Sequence, residues 1–374
     1  MLVPHNKPKG GVIMWNRRIN RAVIGLLAGV VCAAPVAVSA ATVQEILNYR
    51  GADRQAMLEA GAKKEGSLNL YSALTINQAL RPLAEGFRKK YPYLKVEFWR
   101  AESRKIAQKS LAEIRAGTMV GDVLEGSGLA EIMVKAKAIE KFHTPAIDAI
   151  APEYRDKESQ WVPSRFSYFG IAYNTKLVPP GSQPKTYEDL LDPKWKGKIA
   201  WRAESESGAL LMVTTLRLLM GDAKADAYFR KLKEQGIIGF TGSARTLVNR
   251  VIEGEYPIAV NIFMHHATIS AQKGAPVAPH PLEPVPSING TMMIPKGVAR
   301  PHAAMLFVDY YLSREGQDVL KKARYFPVRS DVKPRKELEP LVPKVTGVKE
   351  MFISPEVLFD NRKKSEALYR KYFR

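Results

Sequence analysis

Cysteine is nearly absent from this chain of 374 residues, and its apolar runs are short. The single cysteine, Cys32, lies within an apolar stretch from Ala22 to Ala34. Beyond that stretch the chain has no thiol, which excludes a disulfide-held fold and a thiolate metal site. The stretch is also shorter than the roughly 20 apolar residues that a membrane-spanning helix needs.

The first forty residues have the pattern of a secretory signal peptide. Arg17, Arg18 and Arg21 precede the apolar stretch, and Val38-Ser39-Ala40 places small residues where a signal peptidase cleaves. We therefore predict that residues 1–40 are removed and that the mature protein, beginning at Ala41, is periplasmic.

Other uses of this N-terminal segment remain open at this stage. The alternatives are retention as an anchor, lipidation of Cys32, and twin-arginine export through Arg17-Arg18. The start codon is also open, because Met14 could serve in place of Met1.

The chain is strongly basic, with 57 Lys and Arg against 37 Asp and Glu and a formal net charge of +20. Its basic residues are scattered among acids, as in Lys63-Lys64-Glu65, and form no block interleaved with aromatic residues. This distribution argues against nucleic acid as a partner and favours attraction of small anions.

After the signal segment the chain alternates short apolar strands with amphipathic helices. The predicted strands are Leu68 to Ser72, Leu94 to Trp99 and Gly121 to Glu125, and the predicted helices are Asn77 to Lys90 and Ser103 to Ala116. Crossovers of this length indicate an α/β fold with a mostly parallel sheet flanked by helices.

The second part of the chain repeats this alternation. We predict strands at Tyr168 to Tyr173, Lys198 to Trp201 and Ile258 to Asn261, and an apolar helix from Gly208 to Met220 that ends at a glycine. The proline-rich segment from Pro276 to Pro286 is interpreted as a return crossing between two lobes, an ordinary surface loop being the alternative.

Several ordered segments together resemble a known family. They are Leu70-Tyr71-Ser72, Gly121-Asp122-Val123, Gly170 to Asn174, Tyr187 to Ile199, Ser207-Gly208-Ala209, Glu253-Gly254-Glu255, Pro295-Lys296-Gly297, Phe307 to Ser313 and Glu315-Gly316-Gln317. In order and spacing they resemble the solute-binding proteins of ABC importers, a two-lobed type that includes ferric-ion, phosphonate and other anion binders.

The resemblance implies a type II periplasmic-binding-protein fold, in which two α/β lobes joined by crossing strands close on a ligand. Residues 41–165 and 286–374 would form one lobe and residues 166–285 the other. The protein would be a monomer that carries a small, anionic solute to a membrane permease, with no cofactor and no catalysis. The identity of the solute is beyond the sequence.

Candidate ligand residues lie where the predicted strands end, because open α/β sheets bind ligands at that edge. Small and hydroxyl residues there let backbone N–H groups approach an anion. On this basis, and on the resemblance, we expect ligand contacts from Ser72, Thr75, Ser127, Ser207, Gly208 and Ala209. The simpler alternative for Ser207 is that it only caps the apolar helix.

A second group of candidates comes from the remainder of the chain. Ser243 lies in a similar loop, and Arg245 carries a guanidinium suited to carboxylate or phosphate. Arg165 and Tyr168 lie at the first crossing, where they serve as hinge or ligand residues. Arg100 is expected at the surface, and a solvated helix position is the alternative for Arg245.

His265 and His266 invite a metal interpretation, but adjacent histidines need further ligands to hold an ion. In ferric-ion relatives a tyrosine pair aligns with Met264 and His265, and a histidine and a glutamate align with Thr75 and Ser127. The expected iron ligand is missing at all four positions. We therefore assign His265 to binding of an organic anion and keep ferric iron as the alternative.

Two other classes of function were weighed. A secreted hydrolase or transferase lacks support, since the chain has no nucleophile elbow, zinc motif or recognisable triad. A periplasmic sensor that presents a ligand to a partner cannot be separated from a transport protein by sequence.

Overall fold

The computed structural model describes residues 41–203, 205 and 207–374. The predicted signal peptide, residues 1–40, lies outside the described residues. No helix in the described part of the chain has the length and apolar character required to cross a membrane.

The described residues contain ten β-strands. In chain order they are β1 Ser67–Ser72, β2 Lys95–Arg100, β3 Val123–Ser127, β4 Val162–Asn174, β5 Ile199–Arg202, β6 Ile238–Phe240, β7 Ile258–Phe263, β8 Val277–His280, β9 Val285–Met293 and β10 Glu350–Phe352.

Thirteen α-helices accompany these strands in the same part of the chain. They are α1 Val43–Asn48, α2 Arg54–Glu65, α3 Arg81–Lys90, α4 Ser103–Ala116, α5 Ala130–Lys135, α6 Ala209–Met220, α7 Asp222–Glu234, α8 Ala244–Glu253, α9 Met264–Ala271, α10 Pro301–Leu312, α11 Arg314–Lys322, α12 Pro343–Thr346 and α13 Pro355–Phe373.

The strands form a continuous path in the order β2-β1-β3-β9-β4-β7-β5-β6, with β10 added to β9 and β8 to β4. Pairs at both outer ends of the path are parallel, including β1 with β2 and β5 with β6. The antiparallel pairs all include β4 or β9. The α/β fold expected from the sequence is confirmed, with antiparallel pairing restricted to these central strands.

The long strand β4 connects two regions of sheet. Its residues 162–168 pair with β9, which places them in the first sheet, with β1, β2, β3 and β10. Its residues 169–174 pair with β7 and β8, in the second sheet, which continues to β5 and β6. Every residue of β4 is buried, so this strand passes through the interior from one sheet to the other.

Each sheet has its own apolar core. Leu70, Phe87 and Phe307 belong to the core of the first sheet, whereas Trp201 and Phe229 belong to that of the second. Residues this large stabilise by about 1.5–3 kcal/mol each when they leave water. Because each sheet is stabilised by its own core, the space between the sheets can remain open as a pocket.

The helices begin and end where local chemistry requires. α4 ends at Gly117, whose φ of 68° is readily adopted by glycine. α8 begins after Ser243, whose hydroxyl accepts a hydrogen bond from the N–H of Thr246 at 3.1 Å. The predicted helix over residues 77–90 is instead a short π-helix, Ile76–Leu80, followed by α3.

The C-terminal helix α13 contacts elements of both sheets. Arg362 pairs with Glu131 of α5 at 3.1 Å, while Ser365 lies 2.8 Å from the hydroxyl of Thr214 on α6. Near its end, Phe373 packs on Trp201 of β5, with ring centroids 4.7 Å apart. The helix therefore joins the helical layers that flank the two sheets.

Candidate anion-binding pocket

A pocket lies beside β4, between the two sheets. Thr75 and Ser127 line it from the first sheet's side, and Ser207, Ser243 and His265 from the second. Thr75 and Ser127 follow or end strands β1 and β3. The pocket therefore occupies the edge at which the sequence predicts a ligand.

Four helices of the described chain begin at this pocket. The lining residues include Ser103 at the start of α4, Ser207 just before α6, Ser243 before α8 and Phe263 before α9. The first N–H groups of a helix lack intrahelical partners, and the helix dipole makes that end positive. Four such ends around one pocket favour a negatively charged ligand.

Arg165 contributes a guanidinium whose charge is already balanced. It forms an ion pair with Glu125, and both side chains are buried. Glu125 also accepts hydrogen bonds from Ser72 at 2.6 Å and Ser164 at 3.0 Å. This network joins β1, β3 and β4, and it makes Arg165 part of the pocket's framework.

Glu102 is the one carboxylate among the described residues that line the pocket. It lies 3.1 Å from the guanidinium of Arg100 and 3.9 Å from that of Arg202. Arg202 also donates to the Ser207 hydroxyl and to the carbonyl of Gly242, each at 3.2 Å. Arg202 thus fixes two loops of the second sheet and connects them to the first.

Arg245 differs from the other pocket arginines. It donates hydrogen bonds to the carbonyl of His266 and to the hydroxyl of Ser270, each at 3.0 Å. No carboxylate of the described residues pairs with it, and its burial lowers the pKa of its guanidinium. A partly buried cation without a counter-charge is favourably placed to bind an anion.

His265 and His266, in the first turn of α9, form the remaining part of the wall. Burial, reinforced by Arg165 and Arg245, lowers the pKa of His265 from 6.5 to about 3. The pKa of His266 is likewise well below its ordinary value, chiefly through burial and then through His265 and Arg245. Both imidazoles are therefore neutral at neutral pH.

The structure brings six predicted ligand residues to this pocket. They are Thr75, Ser127, Ser207, Ser243, Arg245 and His265. Ser207 is not the cap of α6, because that position belongs to Gly208. Its hydroxyl instead accepts the hydrogen bond from Arg202.

The other four predicted residues are not in the pocket lining. The hydroxyl of Ser72 donates a hydrogen bond to Glu125. Gly208 and Ala209 form the start of α6, directly after Ser207. Tyr168 packs on Phe326, with ring centroids 4.8 Å apart, beside a different cavity.

Alternation along β4 explains the position of Tyr168. Successive side chains on a strand point to opposite faces. Arg165 and Ser167 line the pocket, whereas Phe166 and Tyr168 line the cavity on the other face. Tyr168 therefore lies behind the strand that forms the pocket wall.

Sequence reasoning missed some lining residues. Arg202 directly follows the predicted strand that ends at Trp201, so the strand-end rule could have found it. Arg100, expected at the surface, also lines the pocket. Tyr325 had no signal, because it comes from a loop far along the chain and reaches the pocket only through the fold.

A metal centre has no support in the described residues, where no group of three or more His, Cys, Asp or Glu side chains is arranged to hold an ion. Among the described residues that line the pocket, Glu102 is the only carboxylate, and it accepts a hydrogen bond from Arg100.

Comparison with known proteins identifies relatives of the whole fold. A protein of Haemophilus influenzae without an assigned function is 28% identical over 289 residues, which cover 71% of this chain and 80% of that protein. The periplasmic binding protein AfuA of Actinobacillus pleuropneumoniae, solved with fructose-6-phosphate, is 25% identical with a TM-score of 0.71. The match covers 82% of this chain and 98% of AfuA.

Iron-bound HitA of Pseudomonas aeruginosa has the same fold, with a TM-score of 0.70 at 21% identity, covering 82% of this chain and 99% of HitA. Residues 122–346, more than half of the chain, match the family described as bacterial extracellular solute-binding protein. The expected two-lobed fold and the transport role are thereby confirmed. The chain belongs to the bacterial extracellular solute-binding proteins, the periplasmic components that bind solutes for ABC importers.

Proposed function

We propose that the protein captures a small organic anion in the pocket between its sheets and delivers it, chemically unchanged, to an ABC permease. The observation that carries this proposal is Arg245, a partly buried cation without an acidic partner among the described residues. It lies at the start of α8, one of the four helices that begin at the pocket.

The charge balance of the pocket supports an anion. Arg165 is neutralised by Glu125, and Glu102 serves Arg100 and Arg202. Among the described residues, four arginines at the pocket (Arg100, Arg165, Arg202 and Arg245) face two carboxylates (Glu102 and Glu125), and this excess together with the helix ends favours about one or two negative charges on the ligand. AfuA, which holds fructose-6-phosphate, is an example of an organic phosphate in this fold.

Closure around the ligand would use β4. We assign residues 41–165 and 286–374 to one lobe and residues 166–285 to the other, with the hinge where β4 changes partners from β9 to β7. The return path through β8 and β9 gives a second crossing. Contacts made by Ser127 on one wall and Arg245 on the other would stabilise the closed state. The protein would act as a monomer after removal of residues 1–40.

Binding measurements on residues 41–374 test the proposal. Calorimetry with phosphate esters, phosphonates and carboxylates should find one bound anion per chain, and a ligand at a hundred times its dissociation constant should add about 2.7 kcal/mol of stability. Neutral sugars should not bind. Ferric salts test the iron alternative, which no cluster of side chains in the described residues favours.

The matched variants are Arg245→Gln and Arg250→Gln. Both residues lie on α8, but Arg250 is exposed and pairs with Glu253 and Glu255. Only Arg245→Gln should weaken anion binding. Equal affinity in the two variants, or binding of neutral sugars in preference to every anion, would overturn the proposal.

A further inference from the structure

His265 has a buried imidazole that makes no hydrogen bond to the described protein. It is 1% exposed, and neither of its ring nitrogens has a hydrogen-bond partner among the described residues. Its ring packs against Tyr325 and His266, with centroids 5.1 and 4.5 Å away. In the same part of the chain, the Nδ1 atom of His266 has no hydrogen-bond partner either. Unpaired buried polar atoms are costly, so their presence at a binding pocket calls for an explanation.

The protonation state of His265 determines which ligand group can pair with it. With its pKa lowered to about 3, the ring is neutral and carries one N–H donor and one nitrogen acceptor. An anionic oxygen can accept from the donor, but it offers no hydrogen to the acceptor. The acceptor nitrogen needs a donor from the ligand.

The charged groups and helix starts of the pocket supply mainly donors, whereas its serine, threonine and tyrosine hydroxyls can donate or accept. Guanidinium groups of Arg165 and Arg245 donate and cannot accept, and the same holds for the N–H groups at helix starts. Glu102 is an acceptor, but it is held by Arg100 and lies near Arg202. Neutral imidazole nitrogens are thus acceptors that remain available on the wall formed by α9.

We propose that His265, together with His266, is a specificity-determining pair that binds a hydroxyl group of the ligand, so that the pocket selects hydroxylated organic anions over anions without a hydroxyl. A hydroxyl is both donor and acceptor, and it therefore complements a neutral imidazole. This inference rests on the proposed function, because Arg245 and the helix ends would hold the charged end of the same ligand.

Ligand pairs that differ in their hydroxyl groups test hydroxyl selection separately from anion binding. Glycerol 3-phosphate is compared with n-propyl phosphate, and gluconate with hexanoate, by calorimetry on residues 41–374. The hydroxylated member of at least one pair should bind about tenfold tighter, because a site built to bond a hydroxyl rejects the analogue that lacks it. In His265→Phe this preference should fall to about twofold or less.

His265→Asn serves as the rescue variant, since an amide keeps both a donor and an acceptor. It should retain part of the preference. If both members of each pair bind equally to the native protein, or if His265→Phe keeps the full preference, this inference is overturned while Arg245-dependent binding leaves the proposed function standing. If no anion binds, the proposed function falls and the inference with it.

Discussion

The two walls of the pocket differ in how far their polar groups are already satisfied. On the first sheet's side, Glu125 joins Ser72, Ser164 and Arg165 in a closed network. On the second sheet's side, Arg245 lacks a counter-charge and His265 lacks any hydrogen-bond partner among the described residues. The Glu125 network is therefore a structural support, whereas a ligand can supply partners to Arg245 and His265, and also to the hydroxyl of Ser167 on β4, which has none among the described residues.

Disrupting the hydrogen-bond network around Glu125 should have the largest effect on the free energy of unfolding. Glu125→Ala leaves the buried guanidinium of Arg165 unpaired, and we expect a loss of about 3–5 kcal/mol in the free energy of unfolding. Urea denaturation measures it. Glu102→Ala is the control, because that carboxylate is 45% exposed and its pairs contribute less than about 1 kcal/mol. Similar losses in both variants would contradict the contrast between the walls.

Removing the unpaired cation should affect binding and spare stability. In Arg245→Gln we expect anion affinity to fall about 10- to 100-fold, the range of a lost charge-assisted hydrogen bond. The unfolding free energy should change by less than about 1 kcal/mol, since burial of this charge has an energetic cost of its own. Calorimetry and urea denaturation on the same samples provide both values. A stability loss as large as that of Glu125→Ala would place Arg245 in the support instead.

Because the imidazole of His265 is neutral in the folded protein, folding stability should decrease as the pH is lowered. Between about pH 6.5 and 3 the unfolded chain protonates His265 while the folded chain does not, so stability falls as pH decreases, by about 1.4 kcal/mol per pH unit from this residue. Asp122, whose pKa is raised to about 6, acts in the opposite direction.

The contribution of His265 to the pH dependence is therefore measured as the difference in unfolding free energy between the native chain and His265→Phe. Unfolding free energies of the native chain and of His265→Phe, measured from pH 7 to pH 4.5, should diverge, with the variant losing less stability. Parallel pH profiles would show that His265 is protonated or exposed in the folded protein.

We expect the smallest effect on anion affinity from a substitution on the face of β4 that points away from the pocket. Tyr168→Phe alters the opposite face of β4, so anion affinity should change by less than about twofold. Ser167→Ala is its neighbour on the pocket face and should produce the larger change in affinity. Calorimetry on both variants checks the alternation, and a stronger effect from Tyr168→Phe would mean that this tyrosine reaches the ligand.

The sequence predicted well those features that depend on local pattern. The helix predicted from about Ser103 to Ala116 spans Ser103–Ala116 in the structure, and Gly117 ends it. Strand ends led to Thr75 and Ser127, since the sheet rule places such positions at one edge, while the start of the apolar helix led to Ser207 and a similar loop to Ser243.

What the sequence could not predict depends on long-range pairing. Nothing in the pattern shows that Ser72 and Arg165 both turn to Glu125, which is 53 and 40 residues away along the chain. The sequence also does not show which alternate residues of β4 face the pocket, because a shift of one residue along the strand would exchange Ser167 for Tyr168 there. The same limit applies to the unpartnered imidazoles, which become evident only once their neighbours are known.

The most direct test of the account is native mass spectrometry of the mature protein taken from the periplasm, followed by identification of the released ligand. We expect one small organic anion per chain, bearing at least one hydroxyl group, and its loss in Arg245→Gln but not in Arg250→Gln. A neutral solute or a ferric ion bound to the native protein and unaffected by Arg245→Gln would contradict it.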